Sequence, residues 1–137
     1  MGNTLQRKDL VFPELSYKII GCAFEVFNQL GSGHKEIVYH KALAVEFSNQ
    51  KLNFKDEVYY PVEFKKVVVG RNYFDFLIDD KIIVEIKSLT RFSKAHFDQT
   101  SNYLNVSSLR LALLINFGVE GVQCKRVINF NTIVSLS

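Results

Sequence analysis

The sequence predicts an α/β domain in which helices flank a run of antiparallel strands. Three observations carry this reading. Two N-terminal segments space their apolar residues at helical intervals, a central block from Phe54 to Ile86 is rich in β-branched and aromatic residues, and "RLALLINF", Arg110 to Phe117, is almost unbroken apolar sequence.

The elements follow in order. After a polar leader, residues 1–12, "ELSYKIIGCAFEVFNQLG" places Ile20, Ala23, Phe24, Phe27 and Leu30 on one helical stripe and stops at Gly31. "SGHK" leads into a second helix, "EIVYHKALAVEFSNQ", whose Glu36, His40, Leu43 and Phe47 share a face. Three strand-like runs come next, about Phe54 to Tyr60, Val62 to Val69 and Tyr73 to Ile78, with a turn expected at Gly70-Arg71-Asn72. "KIIVEIKS" reads as a further strand, Ser93 to Val106 as a polar helix, "RLALLINF" as a strand buried on both faces, and "CKRVINF" as an edge strand. Without a repeat, linker or low-complexity stretch, residues 13–137 read as one domain.

Composition narrows the function classes. With 137 residues, 47% of them hydrophobic and 13% aromatic, the chain can bury a real core. Its longest apolar runs fall short of a membrane helix, and its polar N-terminus lacks the apolar stretch of a signal peptide, so no membrane association is expected. Cys22 and Cys124 lie in apolar surroundings without metal-ligand spacing and read as buried, reduced thiols, which fits the cytoplasm. A net charge of +3 is compatible with a nucleic-acid partner without arguing for one. The three histidines form no zinc pattern, and no P-loop, dinucleotide fingerprint or nucleophile elbow is present.

The chemistry concentrates in "NYFDFLIDDKIIVEIKS", Asn72 to Ser88. A hairpin with Asp79, Asp80 and Lys81 at its tip pairs Ile78 with Ile82, so Phe76 meets Val84 and Phe74 meets Ile86 on one apolar face. On the other face Leu77 meets Ile83, Asp75 meets Glu85 and Tyr73 meets Lys87. Glu85 and Lys87 share a face in any register because they are two residues apart. Opposed carboxylates repel, so the pair calls for a cation. Two readings stay open. Lys87 can neutralise the acids in a structural ion network, or the acids can hold a hard divalent metal such as Mg²⁺, which one or two carboxylates typically bind. Glu36 is a third acid on an otherwise inward-facing stripe, or a first-turn glutamate favoured by the helix dipole. In the later helix His96, Gln99 and Tyr103 line one face, with Phe97 and Leu104 on the other.

"GHKEIVY", Gly33 to Tyr39, fits the G-x-x-E-x-x-Y signature of the GxxExxY protein family. The aspartate of "YFDFLID", the "VEIKS" strand, the "HFDQTSNYL" helix and the "LRLALLINFG" strand resemble that family's successive blocks, over roughly Leu15 to Val127. The family in turn resembles the PD-(D/E)XK nuclease superfamily. The resemblance implies a restriction-endonuclease-like core, with a mixed β-sheet whose antiparallel meander is flanked by α-helices. It implies Asp75 and Glu85 as ligands of Mg²⁺ or Mn²⁺, Glu36 as the acid of the first core helix, Lys87 as the motif lysine, and Gln99 and Tyr103 as the polar positions that follow. The motif's proline is replaced by Phe74. The function so implied is hydrolysis of phosphodiester bonds in DNA or RNA, with Arg71, Arg91 and Lys94 near the backbone; the alternative is a non-catalytic module that binds nucleic acid or protein on the same fold. So short a chain leaves room for a homodimer or another protein partner.

Overall fold

The computed structural model describes residues 11–90 and 93–129. The leader up to residue 10 and Arg91 lie outside the described residues. Helix α1 spans Pro13–Leu30, with proline in its first turn where no intrahelical N–H is needed. It ends at Gly31, whose φ of 71° favours glycine and whose N–H donates to the Phe27 carbonyl at 2.7 Å. Its buried face is Ser16, Ile19, Cys22, Ala23 and Val26, while Phe24 and Leu30 are exposed. The stripe is thus rotated from the one expected. The rotation brings Ser16 inward, where its hydroxyl donates to the Phe12 carbonyl at 2.7 Å and accepts from Arg126 at 2.9 Å.

Helix α2, Glu36–Asn49, buries Tyr39, His40, Leu43 and Phe47, as its stripe predicts, with Tyr39 added. Five strands then form one mixed sheet in the order β1-β2-β3-β4-β5. They are β1 Phe54–Phe64, β2 Val67–Ile78, β3 Ile82–Lys87, β4 Leu111–Gly118 and β5 Gly121–Ile128. All neighbours are antiparallel except β3 and β4, which are parallel and joined by helix α3, Lys94–Ser107. β4 is buried along its whole length. One core packs Ile82, Val84, Ile86, Leu111, Leu113 and Ile115 against α1 and α2. The intervening residues Ile83 and Ala112 face a smaller cluster built on Tyr103 and Leu104 of α3. This is the α/β architecture that the sequence implied.

The three runs expected between Phe54 and Ile78 are two strands, with no break between Tyr60 and Val62 and the turn in a different place. Gly70, Arg71 and Asn72 lie inside β2, paired with Val62, Pro61 and Tyr60. The chain reverses instead at Lys65 and Lys66, both at positive φ, 51° and 67°. Turn-forming residue types at 70–72 are outweighed by the β-branched run on either side, and a one-residue register shift at Val62/Glu63 absorbs the extra length. Cys22 is buried and Cys124 half-buried, both free, and burial pushes each thiol up to about 11. Among the described residues no helix is long and apolar enough to cross a membrane.

The β2–β3 tip forms where expected, closed by the Lys81 N–H on the Ile78 carbonyl at 2.9 Å, with Asp79 and Asp80 at φ 54° and 55°. Both central residues at positive φ make a turn that asparagine followed by glycine fits best. The ion pairs there, Lys55–Asp80 and Lys81–Asp79, are exposed and contribute little. The double change Asp79→Asn, Asp80→Gly therefore raises stability, by about 1 kcal/mol from relief of the left-handed backbone. Urea denaturation measures it, and an unchanged or lower midpoint contradicts the turn assignment.

Candidate active site

The expected strand register holds at Ile78–Ile82, Leu77–Ile83 and Phe76–Val84, and there the ladder stops. Beyond it side chains replace the backbone pairing. The Asp75 N–H donates to the Glu85 carboxylate at 3.0 Å, and the Ile86 N–H donates to the Asp75 carboxylate at 2.9 Å. Asp75 and Glu85 are thus brought together, each held by the other strand's backbone. The expected pairs of Phe74 with Ile86 and Tyr73 with Lys87 do not form.

The reason lies on the other side of β2. Asp56 pairs with Phe76 and Val58 with Phe74, but Glu57 and Asp75 between them are unpaired, and Glu57 is at φ 51°. Both strands switch faces at this point. Phe76 and Phe54 remain with the α1–α2 core, whereas Phe74, Val58 and Tyr60 join the α3 cluster.

His40 of α2 completes the grip on Asp75. It is buried, stacked on Phe76 at 4.3 Å, with Nδ1 3.1 Å from Asp75 Oδ1 and Nε2 3.5 Å from Asp56 Oδ2. Sequence reasoning left this histidine ambiguous. Its place on a buried stripe is the signal, because an interior imidazole needs a polar partner.

Glu36 is the exposed first residue of α2, and a lock on the preceding loop positions it. Tyr39 stacks flat on Phe117 at 4.3 Å, its hydroxyl donates to the Gly31 carbonyl at 2.6 Å, and it accepts the His34 N–H at 3.3 Å. Gly33 takes φ 92° in that loop. From β3, Ser88 donates to the His34 carbonyl at 3.1 Å, and Asn116 holds both the N–H and the carbonyl of Leu89 at 2.8 Å. The start of α2 and the end of β3 are therefore fastened to each other, one residue beyond Lys87.

On the α3 side Tyr103 is buried and receives a hydrogen bond from Gln99 at 3.0 Å. It packs in the same cluster as Leu104, so the expected division between a polar and a packed face does not hold there. His96 is occupied elsewhere: its Nδ1 accepts the Ser93 N–H at 3.0 Å, capping the helix. Lys94 opens the helix and is exposed, and Arg71 lies on β2. A pocket of about 400 Å³ lined by Glu57, Tyr73, Phe74 and Asp75 opens beside the acids. A larger one, about 550 Å³, lies at the β4–β5 turn and includes none of these residues.

The family model of the PD-(D/E)XK nuclease superfamily matches residues 13–132, and the chain belongs to that superfamily. No curated protein matches it in sequence. Among solved structures it is similar to the crystal structure of SSO0001, with a TM-score of 0.54 and 20% identity over 72% of this chain and 54% of that one. It is also similar to an alkaline exonuclease (LHK-Exo) from Laribacter hongkongensis, with a TM-score of 0.49 and 9% identity over 68% of this chain and 55% of that one. The chain spans about half the length of these two structures.

Glu85 is only 7% exposed, and burial first, then the charge of Asp75, pushes its pKa up to about 8; Lys87 opposes the rise. Among the described residues Lys87 is in no ion pair with either acid, so it does not neutralise the pair by contact. No group of three acids, histidines or cysteines among the described residues forms a ready-made metal cage, and the charge of Glu36 adds to the rise at Glu85. Two hard carboxyl groups side by side nonetheless fit a divalent cation that keeps most of its waters and takes the place of the Glu85 proton. PD-(D/E)XK nucleases generally use such ions.

The raised pKa has a consequence for stability. Between about pH 4.5 and 8 the folded protein holds a proton on Glu85 that the unfolded chain has released, so stability falls as pH rises through that window. Glu85→Gln removes this loss. In metal-free buffer the stability of the variant minus that of the parent should grow from pH 5 to pH 8 by a few kcal/mol, at about 1.4 kcal/mol per unit. Denaturant titrations at several pH values measure it; a pH-independent difference rules out the shift.

Proposed function

We infer that this chain is a divalent-metal-dependent phosphodiesterase acting on nucleic acid, and a GxxExxY-type member of its superfamily. The observation that carries the reading is the clasp of Asp75 and Glu85 at the end of the β2–β3 ladder, with Lys87 two residues along the same strand. The GxxExxY assignment is supported by the loop lock, in which the glycine, glutamate and tyrosine of "GHKEIVY" each have a distinct place.

Asp75 and Glu85 would hold Mg²⁺ or Mn²⁺, with Glu36 contributing directly or through water. When bound, such an ion polarises a phosphoryl oxygen and lowers the pKa of water. Lys87, half-buried at the end of β3, directs its ammonium toward the attacking water or the negative charge that develops on phosphorus. His40 holds the Asp75 carboxylate in place from α2, as outer partners of metal ligands do. Gln99 and Tyr103 orient groups on the α3 side. Residues 13–137 act as one nuclease-like domain after the leader, and the free thiols suit a cytoplasmic setting. The second reading, a binding module without turnover, is favoured by the exposed apolar residues of the β1–β2 hairpin.

Calorimetric titration of Mn²⁺ tests the site without a choice of substrate: saturable binding is expected, and Glu85→Ala should lose at least tenfold in affinity. Lys87→Ala should keep that binding and lose cleavage of labelled oligonucleotides by about a hundredfold or more. Absence of metal binding in the folded parent defeats the metal assignment, and metal binding without turnover on DNA or RNA favours the binding module.

A further inference from the structure

The β1–β2 hairpin extends far beyond the strand next to it. β3 pairs with β2 at Phe76, Leu77 and Ile78, while β1 and β2 stay paired out to Phe64 and Val67. On this arm Tyr59 and Tyr73 are directly opposite each other, their ring centroids 5.3 Å apart and their planes at 50°. The two rings are 46% and 56% exposed. Burial in the core therefore does not explain them.

Cross-strand geometry places more on the same face. Arg71, opposite Pro61, lies two residues from Tyr73 and shares its side of the ribbon. Lys65 and Lys66 form the tip, and from Tyr59 to Tyr73 the arm carries three cations against the single carboxylate of Glu63. At its inner end Tyr73 lines the 400 Å³ pocket together with Asp75. An aromatic pair flanked by positive charge is thus continuous with the candidate catalytic aspartate.

We propose that this face of the arm, Tyr59 and Tyr73 with Arg71, binds an unpaired nucleic-acid strand and leads it to Asp75. The proposal rests on the nuclease reading only for where the strand ends. Exposed rings bind the flat faces of bases, which an unpaired strand offers and a duplex keeps stacked internally; arginine and lysine meet the phosphates and read no sequence. A sequence-specific duplex reader would need polar groups aimed at base edges in a groove, whereas the pairs on this face are tyrosine with tyrosine and proline with arginine. A second copy of the chain seated on the tyrosines would cover the pocket that opens onto Asp75.

The test is fluorescence anisotropy on the full chain in EDTA, where no cleavage intervenes, with a labelled oligonucleotide either unpaired or annealed to its complement. The unpaired strand should bind about tenfold tighter or more. Tyr59→Ala with Tyr73→Ala should remove most of that preference, on the scale of losing one or two stacked bases, while Tyr59→Phe with Tyr73→Phe retains it. Both positions are exposed, and a melting curve checks that the variants fold. Equal or tighter duplex binding, or tyrosine variants that bind like the parent, overturns the proposal and leaves the nuclease reading intact if cleavage is seen. Tyrosine-dependent binding of the unpaired strand without any metal-dependent cleavage upholds the surface and sinks the nuclease reading. A tyrosine-to-alanine change that alters sedimentation and not strand binding assigns the face to a second copy and overturns the proposal.

Discussion

Everything distinctive in this structure depends on two side chain to backbone hydrogen bonds, Asp75 N–H to Glu85 and Ile86 N–H to Asp75. At this point a carboxylate stands where a strand carbonyl would be. The backbone donors stay satisfied, so the ladder can end inside the protein without orphaned N–H groups. The cost falls on Glu85, which is buried beside a second acid and pushed toward its neutral form. A carboxylate used only as a structural acceptor would be better placed in water or beside a cation; this one is close to Asp75, with Lys87 nearby and no ion pair between them. That combination supports the reading of the two acids as a candidate site.

A second set of bonds fixes what surrounds the acids. Tyr39 joins the loop before α2 to β4 through Phe117, Ser88 joins β3 to the same loop, and Asn116 pins the chain beyond β3. Helix α2 also supplies His40 one turn after Glu36, so one rigid element presents the exposed acid and grips the half-buried Asp75. The spacing of glycine, glutamate and tyrosine in "GHKEIVY" has a mechanical meaning here: a loop at φ 92°, a helix start, and the anchor that holds the two in register.

The sequence made the helices, the hairpin tip and the inner register from Phe76 to Val84 legible, because alternation and turn chemistry agree there, but it divided the two strands β1 and β2 into three runs. It misplaced what a local irregularity controls. A strict two-residue period puts Phe74 with Phe76, and nothing in "YFDFLID" signals that Glu57, eighteen residues earlier, breaks the period for both strands. Phe74, where the superfamily motif has proline, thereby becomes a core residue against Tyr103, with ring centroids 6.1 Å apart. Helix α1 was misread for a different reason: its apolar residues are numerous enough to offer two stripes, and a distant partner, Arg126, goes with the one that contains Ser16. His96 reads as a site residue by spacing, but Ser93 three residues before it makes it a cap.

The end of the ladder and the start of the arm are the same residue, so the proposed strand surface and the candidate acid lie on one element. Asp75 is clasped to β3 and is followed outward on the same strand by Tyr73 and Arg71, with no loop between the acid and the exposed rings. Tyr73 and Asp75 line the same pocket across the break in the period. The irregularity at Val62/Glu63 lies further out, so it twists the tip of the arm without altering that relation. A strand-binding surface built this way would need no hinge or lid to align with Asp75, because one continuous strand carries both.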